Sequence, residues 1–203
     1  MKGLFVVFEG IDGVGKTTQA RLLANALVQR GYPVVFTREP GGTPVGEKIR
    51  SLLLDPALAG LNPLAEAFLY AGARAELVAS TIRPALAGGR VVVSDRFVDS
   101  SLAYQGYGRC LDLAELEQLN ALATGKLVPD LTVLLDMPAD EALARLAGRV
   151  DRIEQERLDF FERVRRGYHQ LVKREPRRYL VLDGRLDCRE LHRQILKAVE
   201  ERF

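Results

Sequence analysis

"GIDGVGKTT", residues 10 to 18, follows the apolar run "LFVVF" (Leu4 to Phe8) and precedes "QARLLANALVQR". Glycines, a lysine and two threonines therefore stand between a strand-like run and an amphipathic helical pattern. The stretch fits G-x-x-x-x-G-K-[ST] through Gly10, Gly15, Lys16 and Thr17, in the strand-then-helix context that gives the pattern its meaning. Glycines let consecutive backbone N–H groups turn inward around phosphate oxygens, and the helix N-terminus adds partial positive charge. Gly10, Ile11, Asp12, Gly13, Val14, Gly15, Lys16 and Thr17 are thus the expected cradle of a nucleoside triphosphate. Lys16 is expected to reach the β and γ phosphates, and the Thr17 hydroxyl to ligate Mg2+.

Outward from this junction, further apolar runs occur at Pro33 to Thr37, Arg90 to Asp95, Leu131 to Asp136 and Arg178 to Asp183. They are nearly continuous rather than alternating, as expected of strands buried on both faces. Helical patterns lie between and after them: "TTQARLLANALVQRG" ending at Gly31, "PLAEAFLYAGARAELVASTIRPALAGG", "DLAELEQLNALATG", "DRIEQERLDFFERVRRGYHQLVKR" and "DCRELHRQILKAVEERF". The alternation predicts an α/β doubly wound fold with a five-stranded, parallel sheet flanked by helices. Ligands of such sheets bind at the carboxyl ends of the strands. One domain is expected over residues 1–203.

With 47% hydrophobic and 28% charged residues, the composition is that of a globular chain, not a disordered or fibrous one. A net charge of +2 argues no nucleic-acid partner, although arginine is concentrated between Arg145 and Arg178. Cys110 and Cys188 stand far apart, with no zinc or disulfide pattern, which favours a reducing compartment. The first apolar run is too short for a signal sequence, and no run is long enough to span a membrane, so a cytoplasmic location is expected.

A triphosphate cradle serves either a GTP switch or an enzyme that moves the phosphoryl group. The guanine-reading N-K-x-D of a switch is absent from the sequence. A kinase needs a second anion site, and two strand ends offer one: "TREPGGT" (Thr37 to Thr43) and "SDRFVDSSLAYQG" (Ser94 to Gly106). Asp95 supplies a carboxylate for magnesium-bound water and Arg96 a guanidinium fork for a phosphate, unless the two only pair with each other.

Together "FEGIDGVGKTTQ", "TREPGGTPVGEKIRSLLLD", "LYAGARAELV", "SDRFVDSSLAYQGYGR" and "DRIEQERLDFFERVRRGY" resemble the bacterial thymidylate kinases, P-loop nucleoside monophosphate kinases that make dTDP from dTMP and ATP. The resemblance runs in order over essentially the whole chain, and "TREPGGT" and "DRIE" are far more specific than the P-loop alone. It implies ATP as phosphoryl donor, Mg2+, dTMP as acceptor and a homodimer. By resemblance Asp12 contacts the acceptor's sugar 3'-hydroxyl, Arg96 grips the dTMP phosphate, and Arg38 and Glu39 line the same end. Tyr70 stands where the family usually has phenylalanine, against the base. At i and i+4 it shares a helix face with Arg74, although without the resemblance the pair reads as a core ring and a surface charge. Ser101 and Gln105 are implied as polar contacts to base or water, and Tyr104 as the ring that excludes a 2'-hydroxyl.

After "LLDMP" the chain places Arg145, Arg149 and Arg152 around Gly148, and a segment at about 145–155 resembles the family's lid. Cations closing over the transferring group act most in the transition state. Some relatives carry an arginine in the P-loop where this chain has Gly13; the glycine together with lid arginines matches the bacterial arrangement. Lys16, Asp95, Arg96 and Arg149 are accordingly the catalytic candidates, with Arg149 as the clamp and Arg145 packing on adenine. Thr17 and Asp95 are the metal candidates. The dTMP phosphate is already anionic, so no general base is needed. His169 and His192 read as structural, in helices remote from the strand ends. Alternatives at this point are a kinase for another nucleoside monophosphate or a deoxynucleoside, and a P-loop switch.

Overall fold

The structure, a computed structural model, describes residues 3–146, 148 and 151–203. Five strands, β1 (Leu4–Glu9), β2 (Val34–Arg38), β3 (Val91–Asp95), β4 (Leu131–Asp136) and β5 (Tyr179–Asp183), form one sheet in the order β2-β3-β1-β4-β5. Every neighbouring pair is parallel. Side chains alternate across a strand, and β1 shows the result. Leu4, Val6 and Phe8 enter the apolar cluster on one face, Phe5 and Val7 the cluster on the other. The three central strands are buried nearly throughout, as the continuous apolar runs predict. The edge strands differ: β2 leaves Phe36 and Arg38 exposed and β5 leaves Val181 exposed, because an edge has helices over less of its surface.

The helices are α1 (Lys16–Gln29), α2 (Pro44–Leu54), α3 (Pro63–Leu77), α4 (Arg83–Ala87), α5 (Val98–Ser101), α6 (Leu113–Thr124), α7 (Ala139–Ala144), α8 (Leu158–Arg174) and α9 (Cys188–Glu200). Three departures from the periodicity reading have local causes. The long pattern from Pro63 breaks into α3, a wide π-type turn over Val78–Ile82, and α4, where Pro84 has no N–H to continue the α ladder. The pattern from Asp151 becomes helical only at Leu158: the Asp151 carboxylate accepts from the N–H groups of Ile153 (2.9 Å) and Glu154 (2.8 Å), a side-chain turn that competes with helix. Finally, α2 is absent from the periodicity reading, although its start is a strong one. Thr43 caps the N–H of Gly46 at 2.9 Å and Pro44 opens the helix.

Candidate active site

The turn after β1 has the left-handed backbone the glycine pattern predicts. Gly13 sits at φ +87, and a Cβ there would fall deep inside contact with the Ala142 carbonyl of α7. An arginine is therefore excluded from this position by the backbone packed against it. Gly15 caps α1 with no side-chain hydrogen bond, which leaves the N–H groups of the first turn for an anion. Lys16 is buried, donates to the Ile11 carbonyl at 2.6 Å and lies 3.8 Å from the Asp12 carboxylate. Burial, then the Arg96 charge, lowers its pKa to about 8 against the opposing pull of Asp12, Asp95 and Glu9. The side chains of Ile11 and Val14 are core.

The Thr17 hydroxyl donates to Asp95 Oδ2 at 2.5 Å, and both residues line the outer cleft with Lys16. A hydroxyl and a carboxylate in contact at a phosphate cradle are the hard oxygen donors Mg2+ takes, with phosphates and water completing its shell. Among the described residues there is no cluster of three or more acidic, histidine or cysteine side chains to hold a metal by protein alone. Asp95 and Arg96 do not pair with each other. Asp95 turns to Thr17, and Arg96, at the left-handed φ of +73, turns to Asp12 at 2.5 Å, the Gly10 carbonyl at 3.0 Å and Ser100 at 3.0 Å. A non-glycine residue at this φ is strained. The turn is fixed by the Arg96 N–H on the Phe8 carbonyl (2.9 Å) and the Ser94 hydroxyl on the Arg96 carbonyl (2.7 Å).

Two cavities open here. The outer cleft, about 460 Å³, is lined by Asp12, Gly13, Gly15, Lys16, Thr17 and Asp95 among others. The inner cavity, about 80 Å³, is walled by Tyr70, Ser100, Ser101, Tyr104, Gln105 and Ile153 among others. Asp12, Glu39, Arg50 and Arg96 line both. Burial raises the Asp12 carboxyl, but Arg96, Lys16 and the Tyr104 hydroxyl (2.9 Å) outweigh it and hold the group at about 2. Tyr104 also accepts from Arg96 at 3.2 Å, with the guanidinium 5.0 Å from its ring centre.

Most of the expected acceptor residues thus come together. Arg74 and Arg38 stand apart from the inner cavity. Arg74 is fully buried, and its guanidinium is committed to Glu39 (2.6 and 2.7 Å), Ser101 (3.0 Å), Asn120 and the Phe97 carbonyl (3.2 Å). It is neither the surface charge that spacing alone suggests nor a lining residue. Arg38 lines the outer cleft and pairs with Glu47 at 3.0 Å. In the lid-like segment, Arg145 donates to the Gly184 carbonyl at 3.1 Å beyond β5. Arg152 is buried and turned away from both cavities, onto Glu66 at 2.6 Å and the Leu53 carbonyl at 3.0 Å. Arg149 lies outside the described residues.

The sequence reading misses several participants. Arg50 reaches both cavities from α2 and donates to the Pro40 carbonyl at 3.0 Å. Glu9 is fully buried beneath Arg96 and accepts from Ser100 Oγ (2.6 Å), Tyr168 OH (2.8 Å) and the Phe97 N–H (2.9 Å). Its position had a signal, a carboxylate ending an apolar run directly before the glycines; Arg50 had none. The histidine reading needs a correction. His169 is on α8, yet its Nε2 is 3.2 Å from Asp136 at the carboxyl end of β4, because α8 runs back across that end, where Arg165 also clasps Asp136 at 2.7 Å.

Three comparisons bear on this arrangement. A family model described as thymidylate kinase matches residues 8–195. The thymidylate kinase of Pelotomaculum thermopropionicum is 54% identical over 99% of this chain and 94% of its own length, and that of Desulforudis audaxviator is 56% identical over 91% and 84%. The crystal structure of thymidylate kinase from Ehrlichia chaffeensis superposes with a TM-score of 0.81 at 35% identity, covering 98% of this chain and 99% of that one.

Proposed function

Because the chain belongs to the thymidylate kinase family, whose activity is to phosphorylate dTMP to dTDP with ATP as donor, we propose that the outer cleft takes the triphosphate and the inner cavity takes dTMP. The observation that carries this reading is the shared wall. Asp12, Glu39, Arg50 and Arg96 line both cavities, so a γ-phosphoryl in one meets a phosphate in the other beside two guanidinium groups. The glycine turn and the uncapped start of α1 bind the donor phosphates, and Lys16 places its charge on the transferring group. Arg96, fixed by Asp12 and the Gly10 carbonyl, presents its charge to the acceptor phosphate, with Arg50 beside it. Tyr70 and Tyr104 enclose base and sugar, Gln105 and Ser101 meet the base edge, and Arg74 holds Ser101 and Glu39 in place from behind. Asp12 faces the sugar 3'-hydroxyl. Thr17 and Asp95 would hold Mg2+, which would supply charge neutralisation to the phosphates.

Arg149 is the proposed transition-state clamp on sequence grounds, with Arg145 as the adenine contact, in a lid at about 145–155 of a single domain. A homodimer is supported by the half-exposed apolar side chains Leu64 and Phe68 of α3 beside Leu111 and Leu119. No described helix is long and apolar enough to cross a membrane; we place the enzyme in the cytoplasm, where its nucleotide substrates are.

The deciding experiment is ADP release across a panel of nucleoside monophosphates. ADP formation is expected to require an acceptor and to be fastest with dTMP, with its ribo counterpart far slower because Tyr104 fills the 2' side. Preference for another monophosphate would move the assignment to that kinase, acceptor-independent hydrolysis of GTP would favour the switch, and equal use of both sugars would remove the role given to Tyr104.

A further inference from the structure

Behind the inner cavity lies a second buried carboxylate that the phosphoryl chemistry does not use. Glu66, on α3, has no exposed surface. It forms ion pairs with Arg152 at 2.6 Å and Arg109 at 3.3 Å. On the cavity side its Oε1 accepts from Gln105 Nε2 at 2.8 Å. Gln105 is itself buried and lines the inner cavity.

A carboxamide has one donor end and one acceptor end, and it presents opposite chemistry to a ligand according to which way it is turned. A carboxylate held between two guanidinium groups accepts only, so Gln105 meets Glu66 with its NH2 end, and its oxygen is the end left for an occupant. We propose that Glu66 is a positioning residue for base selection: by fixing the polarity of the Gln105 amide it makes the inner cavity demand a hydrogen-bond donor from the base edge. Pyrimidines differ at this point, since N3 of thymine carries a proton and N3 of cytosine carries a lone pair that would face the Gln105 oxygen. The inference rests on the reading that the inner cavity takes the acceptor nucleotide. It adds that the discrimination between thymine and cytosine is set one residue behind the cavity wall.

The geometry also separates this role from plain structural support. Arg109 shares the carboxylate, stacks its guanidinium 4.7 Å from the Phe160 ring centre, and does not line the cavity. Removing Arg109 disturbs the cluster but leaves Glu66 paired with Arg152 and the amide still turned. Replacing Glu66 by glutamine keeps the volume but introduces an NH2 group, so the pair of carboxamides can reverse together.

The test is kcat/KM for dTMP and dCMP with the unmutated protein, Glu66→Gln and Arg109→Met. A site built to receive a donor rejects an analogue lacking it by about 10³-fold or more. Glu66→Gln should shrink the dTMP:dCMP ratio by at least about tenfold, the change produced by loss of one neutral hydrogen bond. KM should change more than kcat for dTMP, and Arg109→Met should leave the ratio within about twofold. An unchanged ratio in a folded Glu66→Gln protein overturns the proposal, and so does an equal loss in Arg109→Met. If Glu66→Gln does not fold, the unmutated protein decides through the scalar coupling across a hydrogen bond from N3 of ¹⁵N-labelled dTMP to the ¹³C-labelled Gln105 carboxamide carbon. Its presence supports the proposal, and its absence with dTMP bound overturns it. Failure of the unmutated protein to use dTMP at all would be seen first, as absent ADP release, and would overturn the acceptor assignment together with the role of Glu66.

Discussion

The two sides of the proposed active site are made differently. Within the proposed donor cleft the phosphate cradle is mostly backbone: a left-handed turn at Gly13 and Gly15, the uncapped start of α1, and one lysine. The proposed acceptor side is mostly side chains from α2, α3 and the segments after β2 and β3, and several of them are held by a buried partner. Arg74 carries Glu39 and Ser101, Glu9 carries Ser100 and Tyr168, and Glu66 carries Gln105. A backbone cradle recognises what every nucleoside triphosphate shares, and a side-chain cavity recognises what distinguishes one monophosphate. The lesson is that function and stability are separable on the donor side and entangled on the acceptor side.

The sharpest way to break that contrast is to remove one cation from each side. Lys16→Ala should lower turnover by about 10³–10⁵-fold, the range for a cation acting on a transferring phosphoryl group. Its folded state should lose little, because burial already holds the Lys16 pKa down at about 8 and the alanine removes a charge the apo protein pays to bury. ADP release alongside a denaturant titration checks both halves; wild-type turnover in the folded variant would remove Lys16 from the chemistry. Arg74→Met should do the reverse. It strands the buried Glu39 carboxylate, whose pKa is already raised by burial against the pull of Arg74 and whose Oε1 has no hydrogen-bond partner among the described residues. Breaking such a pair typically costs about 3–5 kcal/mol. Unfolding free energy within about 1 kcal/mol of wild type, with only KM for dTMP changed, would show that the acceptor side is as separable as the donor side.

The same contrast explains what was legible in the sequence. A backbone cradle needs contiguous residues of fixed types, so the run from Gly10 to Thr17 announces itself, and the central strands do so through unbroken apolar runs. Partnered side chains leave no local pattern. Arg74 and Glu39 are 35 residues apart, and Tyr168 and Glu9 are 159 apart. Tyr70, Ser101, Tyr104 and Gln105 come from resemblance to a family, whereas Glu9 and Arg50, inside the stretches that carry the resemblance, and Glu66, outside them, receive no role from it. The edge strands were misread as doubly buried for a related reason: a valine-rich run does not say how many helices cover it.

Glu9 is where the two sides join, and it gives the smallest and most specific prediction. It ends β1 immediately before Gly10, and the Ser100 and Tyr168 hydroxyls it receives are also acceptors for Arg96, at 3.0 and 3.4 Å. Burial and the nearby Asp99 raise its pKa from 4.5 to about 7, against the opposing effects of Arg96, Ser100 and Tyr168. In the unfolded chain the carboxyl loses its proton near 4.5, whereas in the folded protein it holds the proton until about 7. Across that window the folded state binds more protons than the unfolded state, so Glu9 makes stability fall as pH rises from about 4.5 to about 7, with no further change above. Glu9→Gln cannot titrate. It should carry a roughly constant penalty of about 1–3 kcal/mol for the mismatched donors, but the downward slope contributed by Glu9 should vanish. Urea titrations of both proteins at intervals through this window isolate the contribution of Glu9 and its immediate neighbours, because groups remote from position 9 contribute equally to both and cancel in the difference. The variant should therefore gain on the wild type as pH rises toward 7. Parallel pH curves would mean that Glu9 is ionised throughout, so that Arg96 rests on a permanent carboxylate and the junction between donor and acceptor sides is insensitive to pH.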